Sequence, residues 1–544
     1  MRRPAGRLPF SMHTNASPVK RYAGDIICCL LLLLFCLAIG APRYDKGLDL
    51  RDEGFLAYGA VRVLAGQIPN RDFVSYQPPL SFYSLAAMFR IFGVSILTLR
   101  TLGLFIYIAI VLLVYLLSRR MAGKAVAFCA ALPAAYLGMP FFHFVPFAVW
   151  QGMFFSLLSA LLVITAMQTG NYWLSFAGGL ATALAMISRQ DQGIYLSAAV
   201  LIYAMAVRFA RPDPGIKPRL LRFLCYWGAG ALALIVPLGI FWLASGAVPF
   251  MIRQLIVFPV TDYARTSSIP MPRFVKGAQI TSNVITGLFY LPPLIFAVTA
   301  LALLIKAIRR RFLLEHAHAT FILAFSIFFY CQVLTRSDLY HLLITLDPFF
   351  VLCAWWLNKA SYAVRGIVPG SGQGQAKNMR TVFISTALIL ALTAGAGFWF
   401  FSLTKETFIG PRQQKVEPLS IARGGVQLNP EYALSLKSII TEIEILAKPD
   451  QSILCLPYQP MYYFLSQRNN PTRWNYIWPG DETPEDYRTL IEEVRHNPPA
   501  VVLISGKSGM GSYAASVLEY VEKHYDTLSY NPGLTVYIRR RAYK

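Results

Sequence analysis

The chain has 544 residues, of which 56% are hydrophobic and only 14% are charged. Because a soluble protein carries roughly a quarter charged residues, the composition excludes an ordinary soluble enzyme and predicts a polytopic α-helical membrane protein. The formal net charge is +23, and the basic residues cluster in short segments between apolar runs. This pattern is typical of cytoplasmic loops, so we expect membrane lipid as the partner of this charge, and no nucleic acid. The eight cysteines show no metal-ligand spacing, so no metal site is predicted from them.

About eleven apolar segments are predicted to span the membrane. They lie at 24–41, 95–117, 121–138, 150–168, 174–188, 193–210, 223–244, 283–305, 317–334, 341–358 and 380–402. We interpret the first as an uncleaved anchor, although the small residues that end it also fit a cleaved signal peptide. Alternation of the spans places the N-terminus and the basic loops on one side. The opposite, outer side then receives the loop at 42–94, the polar segments 188–192 and 335–341, the 245–282 loop and residues 403–544.

The chain divides into two predicted domains. Residues 1–402 form a transmembrane domain with 42–94 as its first outer loop, and residues 403–544 form a small soluble α/β domain. Within the second domain, amphipathic patterns predict helices at 430–447, 483–496 and 512–524, and short apolar runs predict strands at 452–457, 500–505 and 534–539. This alternation of strands and helices is typical of an α/β fold.

The first outer loop concentrates acidic residues beside the membrane. The acids are Asp45, Asp49, Asp52, Glu53 and, further on, Asp72. One interpretation makes Asp52 the N-cap of the following helix and Glu53 a first-turn acid, where both suit the helix dipole. A second interpretation makes Asp52 a carboxylate base at a helix start just outside the bilayer, where it takes a proton from a hydroxyl.

Four parts of this loop resemble the first outer loop of the GT-C membrane glycosyltransferases. They are Asp52-Glu53, Gly66, Arg71-Asp72-Phe73 and Pro78-Pro79-Leu80. The loop is similar to that of protein O-mannosyltransferases, the lipid A aminoarabinose transferase and related bacterial lipopolysaccharide sugar transferases. The resemblance implies a GT-C-like helical bundle that transfers a sugar from a polyprenyl-phosphate carrier lipid to a hydroxyl of a glycan, lipid or protein. It also implies a multi-pass protein of the bacterial inner membrane, with the active site and the C-terminal domain in the periplasm.

The resemblance also suggests roles for residues of the outer loops. Asp52 matches the position of the base, and Glu53 is the second catalytic candidate. Asp49, Asp72 and Gln77 are assigned to substrate binding, although aminoarabinose transferases carry a lysine where Gln77 stands. In the second outer loop, residues 139–150, the only ionisable residue is His143, and it joins this group. Whether a divalent metal takes part stays open.

Two further polar segments carry candidates for phosphate binding. The leaving polyprenyl phosphate is negatively charged, and arginine matches its oxygens with two parallel hydrogen bonds. The candidates are Arg189 with Asp191, and Arg336 with Asp338 and His341. Alternatively, each arginine pairs with the neighbouring aspartate and anchors a helix end at the lipid headgroups. Two other functions remain open for the chain, a polysaccharide polymerase or ligase and a non-enzymatic lipid or glycan transporter.

Overall fold

The computed structural model describes residues 18–211, 215–277, 280–366, 415–531 and 533–540. Its helices are α1 (Pro18–Gly40), α2 (Asp52–Leu64), α3 (Leu80–Phe92), α4 (Ile96–Arg119), α5 (Lys124–Leu137), α6 (Ala148–Thr169), α7 (Tyr172–Ser188), α8 (Gln190–Ala210), α9 (Ile216–Ala244), α10 (Val248–Ile252), α11 (Ala264–Thr266), α12 (Ile280–Ile308), α13 (Leu314–Thr335), α14 (Leu339–Leu343), α15 (Asp347–Gly366), α16 (Pro430–Leu446), α17 (Met461–Ser466), α18 (Pro484–His496), α19 (Lys507–Met510) and α20 (Ala515–His524). A 3₁₀ turn covers Met139–Phe142, and two π-helical turns, Arg253–Val257 and Pro259–Tyr263, lie between α10 and α11.

The predicted polytopic helical architecture is confirmed. Seven of the described helices are long and apolar enough to cross a membrane, namely α1, α4, α6, α8, α9, α12 and α13, while α3, α5 and α7 are shorter apolar helices. The count of eleven spans is not confirmed. The predicted span 341–358 is interrupted between α14 and α15, and the predicted span 380–402 lies outside the described residues.

The basic end of α4 lies beside the start of α1. Asp25 accepts a hydrogen bond from Arg119 at 2.5 Å and one from Tyr115 at 2.6 Å. The α1 helix therefore packs into the bundle with its polar end next to the basic residues that follow α4. This arrangement agrees with the prediction that the N-terminal region and the basic 119–124 loop share one side.

The C-terminal region folds as the predicted α/β unit. A four-stranded sheet has the order β3-β4-β6-β5, in which β3 (Ile453–Leu456) runs parallel to β4 (Val501–Ser505) and the other two pairs are antiparallel. Strands β3, β4 and β6 (Leu534–Arg539) occupy the three predicted strand segments, and β5 (Tyr525–Asn531) was not predicted. A separate two-stranded ribbon joins β1 (Glu417–Pro418) to β2 (Gln427–Leu428). Residues 430–446 and 484–496 form helices close to the predicted limits.

The first outer loop and the C-terminal unit share one hydrophobic core. Phe55 and Phe82 of the loop pack in the same cluster as Met461 and Tyr463 of the C-terminal unit. Gly54 allows this approach, because a Cβ at that position would come within 2.7 Å of the Met461 Cα. The Met461 amide donates to the Leu50 carbonyl at 3.2 Å. Loop and C-terminal unit therefore lie on the same side of the membrane bundle.

A buried arginine adds a second connection between these two regions. The Arg62 guanidinium donates to the Thr472 carbonyl and to Asn475 Oδ1 in the C-terminal unit, and to the Asp72 carbonyl in the loop. Such a fork satisfies several acceptors at once, which a lysine cannot do with the same geometry. The outer loop is thus held between the bundle and the α/β unit.

Candidate active site

The start of α2 is capped by Asp49. Its Oδ2 accepts the amide N–H of Asp52 at 3.1 Å and that of Glu53 at 3.4 Å, and its Oδ1 accepts that of Arg51. A carboxylate that binds the free N–H groups of a first turn acts as its cap. The interpretation of Asp52 as the N-cap is therefore wrong. The cap is Asp49, three residues before Asp52. Asp49 therefore has a structural role, and its role in substrate binding stays a prediction.

We call the space between Arg336 and Asp52 the cavity, because the charges of the two residues interact across it and Asp52 is exposed to solvent. Oδ1 of Asp52 accepts a hydrogen bond from the Tyr458 hydroxyl. Burial among the surrounding protein atoms nevertheless raises the pKa of Asp52, while Tyr458 and the charge of Arg336 act against that rise. In the part of the chain that the structure describes, Asp52 makes no ion pair. A carboxylate with a raised pKa, free of a direct cation, can accept a proton from a bound hydroxyl.

Arg336 faces this cavity from the end of α13. Its Nε donates to Asp338 Oδ2 at 2.8 Å, while Asp338 Oδ1 caps α14 through the His341 amide and also contacts His341 Nδ1 at 2.8 Å. Burial lowers the pKa of the guanidinium, but the bonds to Asp338 and Tyr263 outweigh it and the net shift is upward. The Arg336 side chain is 37% exposed. Asp338 thus orients Arg336, and the outer edge of the guanidinium stays accessible.

Arg189 belongs to the same cluster. Its Nε donates to Asp191 Oδ1 at 3.0 Å, at the junction of α7 and α8. Burial lowers the pKa of His341, and the charges of Arg189 and Arg336 lower it further against the pull of Asp338. Both arginines therefore lie near His341. Each arginine pairs with its neighbouring aspartate as the anchoring interpretation expects, yet the two pairs converge on one place.

Glu53 lies in a different environment from Asp52. Both of its carboxylate oxygens are bound by Arg100, at 2.7 and 2.9 Å, and both side chains are 0% exposed. Arg100 also donates to the carbonyls of Tyr44, Lys46 and Gly47. This buried pair fastens the 44–47 segment to α4. The geometry gives Glu53 a structural function, and its assignment as the second catalytic residue stays a prediction.

His143 lies at the edge of this buried pair. A Cβ on Gly47 would stand 3.1 Å from the His143 imidazole. Burial lowers the pKa of His143, and the Arg100 charge lowers it further. The imidazole is therefore neutral near pH 7. Its neighbours are the residues of the 46–53 segment, so it borders the start of α2.

Asp72 and the backbone of Gln77 make local contacts between α2 and α3. Asp72 forms a two-pronged pair with Arg71 at 2.7 and 2.8 Å and accepts the Ile68 amide at 2.7 Å. The Gln77 backbone binds the Ser75 hydroxyl on both sides, as donor and as acceptor. Asp72 therefore stabilises the turn between α2 and α3, which accounts for the Arg-Asp-Phe motif without substrate. The structure joins six of the predicted residues into one cluster, namely Asp52, Arg336, Asp338, His341, Arg189 and Asp191.

Comparisons with known proteins show the same fold. ArnT from Cupriavidus metallidurans bound to undecaprenyl phosphate superposes with a TM-score of 0.53 at 13% identity, over 95% of this chain and 98% of that one. The archaeal oligosaccharyltransferase AglB from Archaeoglobus fulgidus, in complex with an inhibitory peptide and a dolichol-phosphate, gives 0.52 at 11% identity, over 96% of this chain and 75% of that one. The chain has the GT-C fold. The resemblance predicted from the first outer loop is confirmed.

A sequence comparison points the same way. Residues 76–242 match the family described as dolichyl-phosphate-mannose-protein mannosyltransferase. This matched segment includes Gln77, His143, Arg189 and Asp191, and it begins after Asp52. No curated protein sequence matches the chain. The GT-C fold is supported by structural matches over nearly the whole chain. The prediction that Asp52 is the base depends on the geometry around that residue.

Two tyrosines of the cavity were not predicted. Tyr458 binds Asp52, and Tyr263 lies beside Arg336. A signal existed for Tyr458, because it follows the predicted strand 452–457, and the carboxyl ends of strands in α/β units often carry binding residues. Tyr263 belongs to a π-helical turn, which has no comparable sequence pattern. Among the described residues, no group of three or more His, Cys, Asp or Glu side chains lies close enough to hold a metal ion.

Proposed function

We propose that the protein transfers a sugar from a polyprenyl-phosphate donor to an acceptor hydroxyl, on the periplasmic face of a bacterial inner membrane. The observation that carries this proposal is the placement of Asp52, a carboxylate with a raised pKa, across one cavity from Arg336. A carboxylate base on one side of a bound sugar and a phosphate-binding cation on the other suit the two ends of a displacement reaction. The GT-C relatives bound to undecaprenyl phosphate and dolichol-phosphate support the choice of donor.

The reaction follows from the positions of these groups. The acceptor oxygen attacks the anomeric carbon while Asp52 takes the hydroxyl proton, and the bond from that carbon to the phosphate oxygen breaks. The polyprenyl phosphate leaves with the electron pair of that bond, and Arg336 binds the charge that develops on it. Arg189 is the second cation that can bind the phosphate. A single displacement of this kind inverts the configuration of the anomeric carbon.

Other residues of the cavity hold these groups in place. The Tyr458 hydroxyl fixes one oxygen of Asp52 and stabilises its charged form. Asp338 fixes Arg336 through Nε, and the exposed part of the guanidinium is available to phosphate. His341, bound to the other oxygen of Asp338, completes the support.

The cluster argues against a transporter. Arg189 and Arg336 stand at helix ends, and Asp52 belongs to a 13-residue helix of the outer loop. Transporters usually place their ionisable groups at the midplane of the bilayer, on broken helices. A carboxylate without an ion-pair partner, in a cavity at the outer face of the membrane, suits a reaction on a lipid-linked substrate instead.

The decisive variant is Asp52→Asn. Because Asp49 caps α2, the amide should leave the helix start unchanged, whereas loss of the base should lower the rate on the order of 10²–10⁴-fold. Transfer is measured in proteoliposomes as the release of undecaprenyl phosphate from a radiolabelled undecaprenyl-phosphate sugar. Different donor sugars are supplied one at a time, and an extract of lipids and glycans serves as the acceptor.

The matched control is Asp45→Asn. Asp45 is another acid of the same loop, and its contact with the Gln427 amide uses its backbone oxygen. This control should keep wild-type turnover. Wild-type turnover by Asp52→Asn, with an unchanged melting temperature, would end the assignment of the base.

A further inference from the structure

A pocket of about 510 Å³ lies at the carboxyl end of β4, and we call it the Lys507 pocket. Ile504 of β4 and Thr535 of β6, which pair across the sheet, form part of its lining. The other described residues of the lining are Gly506, Lys507, Ser508, Gly511, Leu518 and Gly533. The volume lies within the range of about 300–1,000 Å³ that small-molecule sites occupy. None of these residues belongs to the cluster that is proposed to carry out the transfer.

Glycine backbone forms part of the pocket surface. Gly506 and Gly533 have positive φ angles of 58° and 86°, and the Gly506 amide donates to the Gly533 carbonyl at 3.3 Å. These backbone conformations favour glycine over other residues. A Cβ at either position would meet no atom within 4 Å, so the space above both glycines is open. A ligand can therefore approach the floor of the pocket closely.

The segment 504–512 reads ISGKSGMGS, and its Gly506-Lys507-Ser508 matches the end of a nucleotide phosphate loop. That motif also requires a glycine five residues before Gly506, where Val501 stands inside β4. The helix that follows, α19, has only four residues. A nucleotide phosphate loop is thus excluded, and a ligand of this pocket must be recognised by its side chains.

Three of these side chains carry hydrogen-bond donors, namely the ammonium of Lys507 and the hydroxyls of Ser508 and Thr535. Thr535 is 4% exposed, and among the described residues its hydroxyl has no hydrogen-bond partner. The Tyr537 hydroxyl, two residues further along the same face of β6, is also buried without a partner, and its ring lies 5.8 Å from Lys507 Nζ. Buried polar groups are normally hydrogen-bonded. The unpartnered hydroxyl of Thr535 therefore points to a ligand with acceptor atoms.

The charge of the pocket favours an anion. Lys507 lines it, and no acidic residue is found among the described residues of the lining. Lys507 Nζ pairs with Glu522 at 2.5 Å, but the two side chains are 41% and 46% exposed. An exposed pair of this kind is weak, and an ammonium has three donors, so Lys507 can bind a second acceptor. One cation and two hydroxyls match the three terminal oxygens of a phosphate monoester, whereas a carboxylate offers two.

We propose that the Lys507 pocket binds a phosphate monoester, carried either by a sugar-sized molecule or by a lipid headgroup. Lys507, Ser508 and Thr535 hold the phosphate oxygens, and the group attached to the phosphate lies against Ile504 and Leu518. The site goes beyond the proposed transfer reaction. It uses neither Asp52 nor Arg336, so failure of the transfer reaction would leave this proposal standing.

Hydrogen–deuterium exchange of the full chain in phosphatidylcholine nanodiscs tests this proposal. The soluble probes are glucose 6-phosphate, glucose and glucuronate, and the reading is the exchange of peptides that cover 504–512, so phosphate bound at Arg336 does not contribute. Glucose 6-phosphate should slow this exchange, glucose should have no effect, and glucuronate should act only at higher concentration. Nanodiscs that contain phosphatidic acid, without a soluble probe, report on the lipid headgroup. Slowing in either arm supports the site and identifies the source of the phosphate.

Two variants examine the side chains that carry the argument. Lys507→Gln should raise the glucose 6-phosphate concentration for half-maximal slowing about tenfold, because a charge-assisted hydrogen bond is lost. Thr535→Val keeps a β-branched side chain in β6 and should also weaken the effect. Its melting temperature without ligand should not fall, since the hydroxyl has no partner to lose.

Lys437→Gln is the matched control. Lys437 lines a second pocket of about 530 Å³ on α16, together with Glu442 and without glycine. This variant should keep the wild-type response at 504–512. The proposal is overturned if neither phosphate probe slows exchange there, if glucose or glucuronate acts as strongly as glucose 6-phosphate, or if Lys507→Gln and Thr535→Val respond like the wild type.

Discussion

The Tyr458 hydroxyl donates a hydrogen bond to Oδ1 of Asp52, across a separation of 406 residues in the chain. The C-terminal α/β unit thus completes the cavity that the outer loop begins. Because this hydrogen bond stabilises the carboxylate, it acts against the burial that raises the pKa of Asp52. The unit has a direct electrostatic effect on the proposed base.

Tyr458→Phe should move the acid side of the pH–activity profile to higher pH. Asp52 must be deprotonated to act as a base, so activity falls as the pH falls through its pKa. Removal of the hydroxyl takes away a contribution that lowers this pKa, and the pKa therefore rises further. The measurement is kcat/KM for transfer as a function of pH. Tyr476→Phe keeps the neighbouring ring and does not touch Asp52, so its acid side should stay in place. An unchanged profile in Tyr458→Phe would contradict the role of this bond.

Glu53→Gln should destabilise the protein. The change removes the charge from one member of a fully buried ion pair and leaves the Arg100 guanidinium uncompensated. Breaking such a pair costs about 3–5 kcal/mol of the free energy of unfolding. The expected result is a lower melting temperature in nanodiscs, whereas Asp52→Asn should melt like the wild type. A stable Glu53→Gln variant with strongly reduced turnover would instead support a catalytic role for Glu53.

Use of the polyprenyl-phosphate donor should depend on both the charge and the planar shape of Arg336. Arg336→Lys keeps a cation but cannot bind Asp338 and a phosphate at the same time with a planar fork. We expect both Arg336→Lys and Arg336→Ala to weaken use of the polyprenyl-phosphate donor, and the alanine variant to be the weaker of the two. The measurement is KM and kcat for the donor in proteoliposomes. Equal and negligible effects would leave Arg336 as an anchor of the helix end.

Asp338→Asn should reproduce part of the Arg336 defect without touching the donor. The amide oxygen can still cap α14, but the amide nitrogen then faces the Arg336 Nε and cannot accept its hydrogen bond, so the orientation of the guanidinium loosens. A positioning role predicts a smaller loss than in Arg336→Ala. It also predicts that the double variant is no worse than Arg336→Ala alone, because the two changes act through one group. Additive losses would show that Asp338 acts independently.

The local features of the chain could be predicted from the sequence, and their partners could not. Helix periodicity located α2, and strand patterns located β3 and β4, because these depend on neighbouring residues. Glu53 is the second catalytic candidate beside Asp52 in the sequence, and its different environment depends on Arg100, which lies 47 residues further on. The same holds for Asp49, whose carboxylate turns back to cap α2. Tyr458 and Arg336 come close to Asp52 through tertiary packing, and the periodicity of the sequence does not predict such contacts.

Gly54→Ala should separate the C-terminal unit from the outer loop. A Cβ on residue 54 would lie within 2.7 Å of the Met461 Cα, and both partners are backbone or Cβ positions of packed helices, so neither can turn aside. Overpacking of this kind costs about 1–3 kcal/mol. The shift should weaken the bond from the Met461 amide to the Leu50 carbonyl and carry Tyr458 away from Asp52. Hydrogen exchange at the Met461 amide and transfer activity measure the two effects.

Gly239→Ala is the matched control for this change. Gly239 lies inside α9 with nothing within 4 Å of an added Cβ. Alanine is preferred over glycine inside a helix by about 0.5–1 kcal/mol, so this variant should be unchanged or slightly more stable. We expect Gly54→Ala to speed exchange at Met461 and to shift the acid side of the pH–activity profile in the same direction as Tyr458→Phe. Slow exchange and a wild-type profile in Gly54→Ala would mean that the contact yields without moving Tyr458, and that the C-terminal unit does not set the pKa of Asp52.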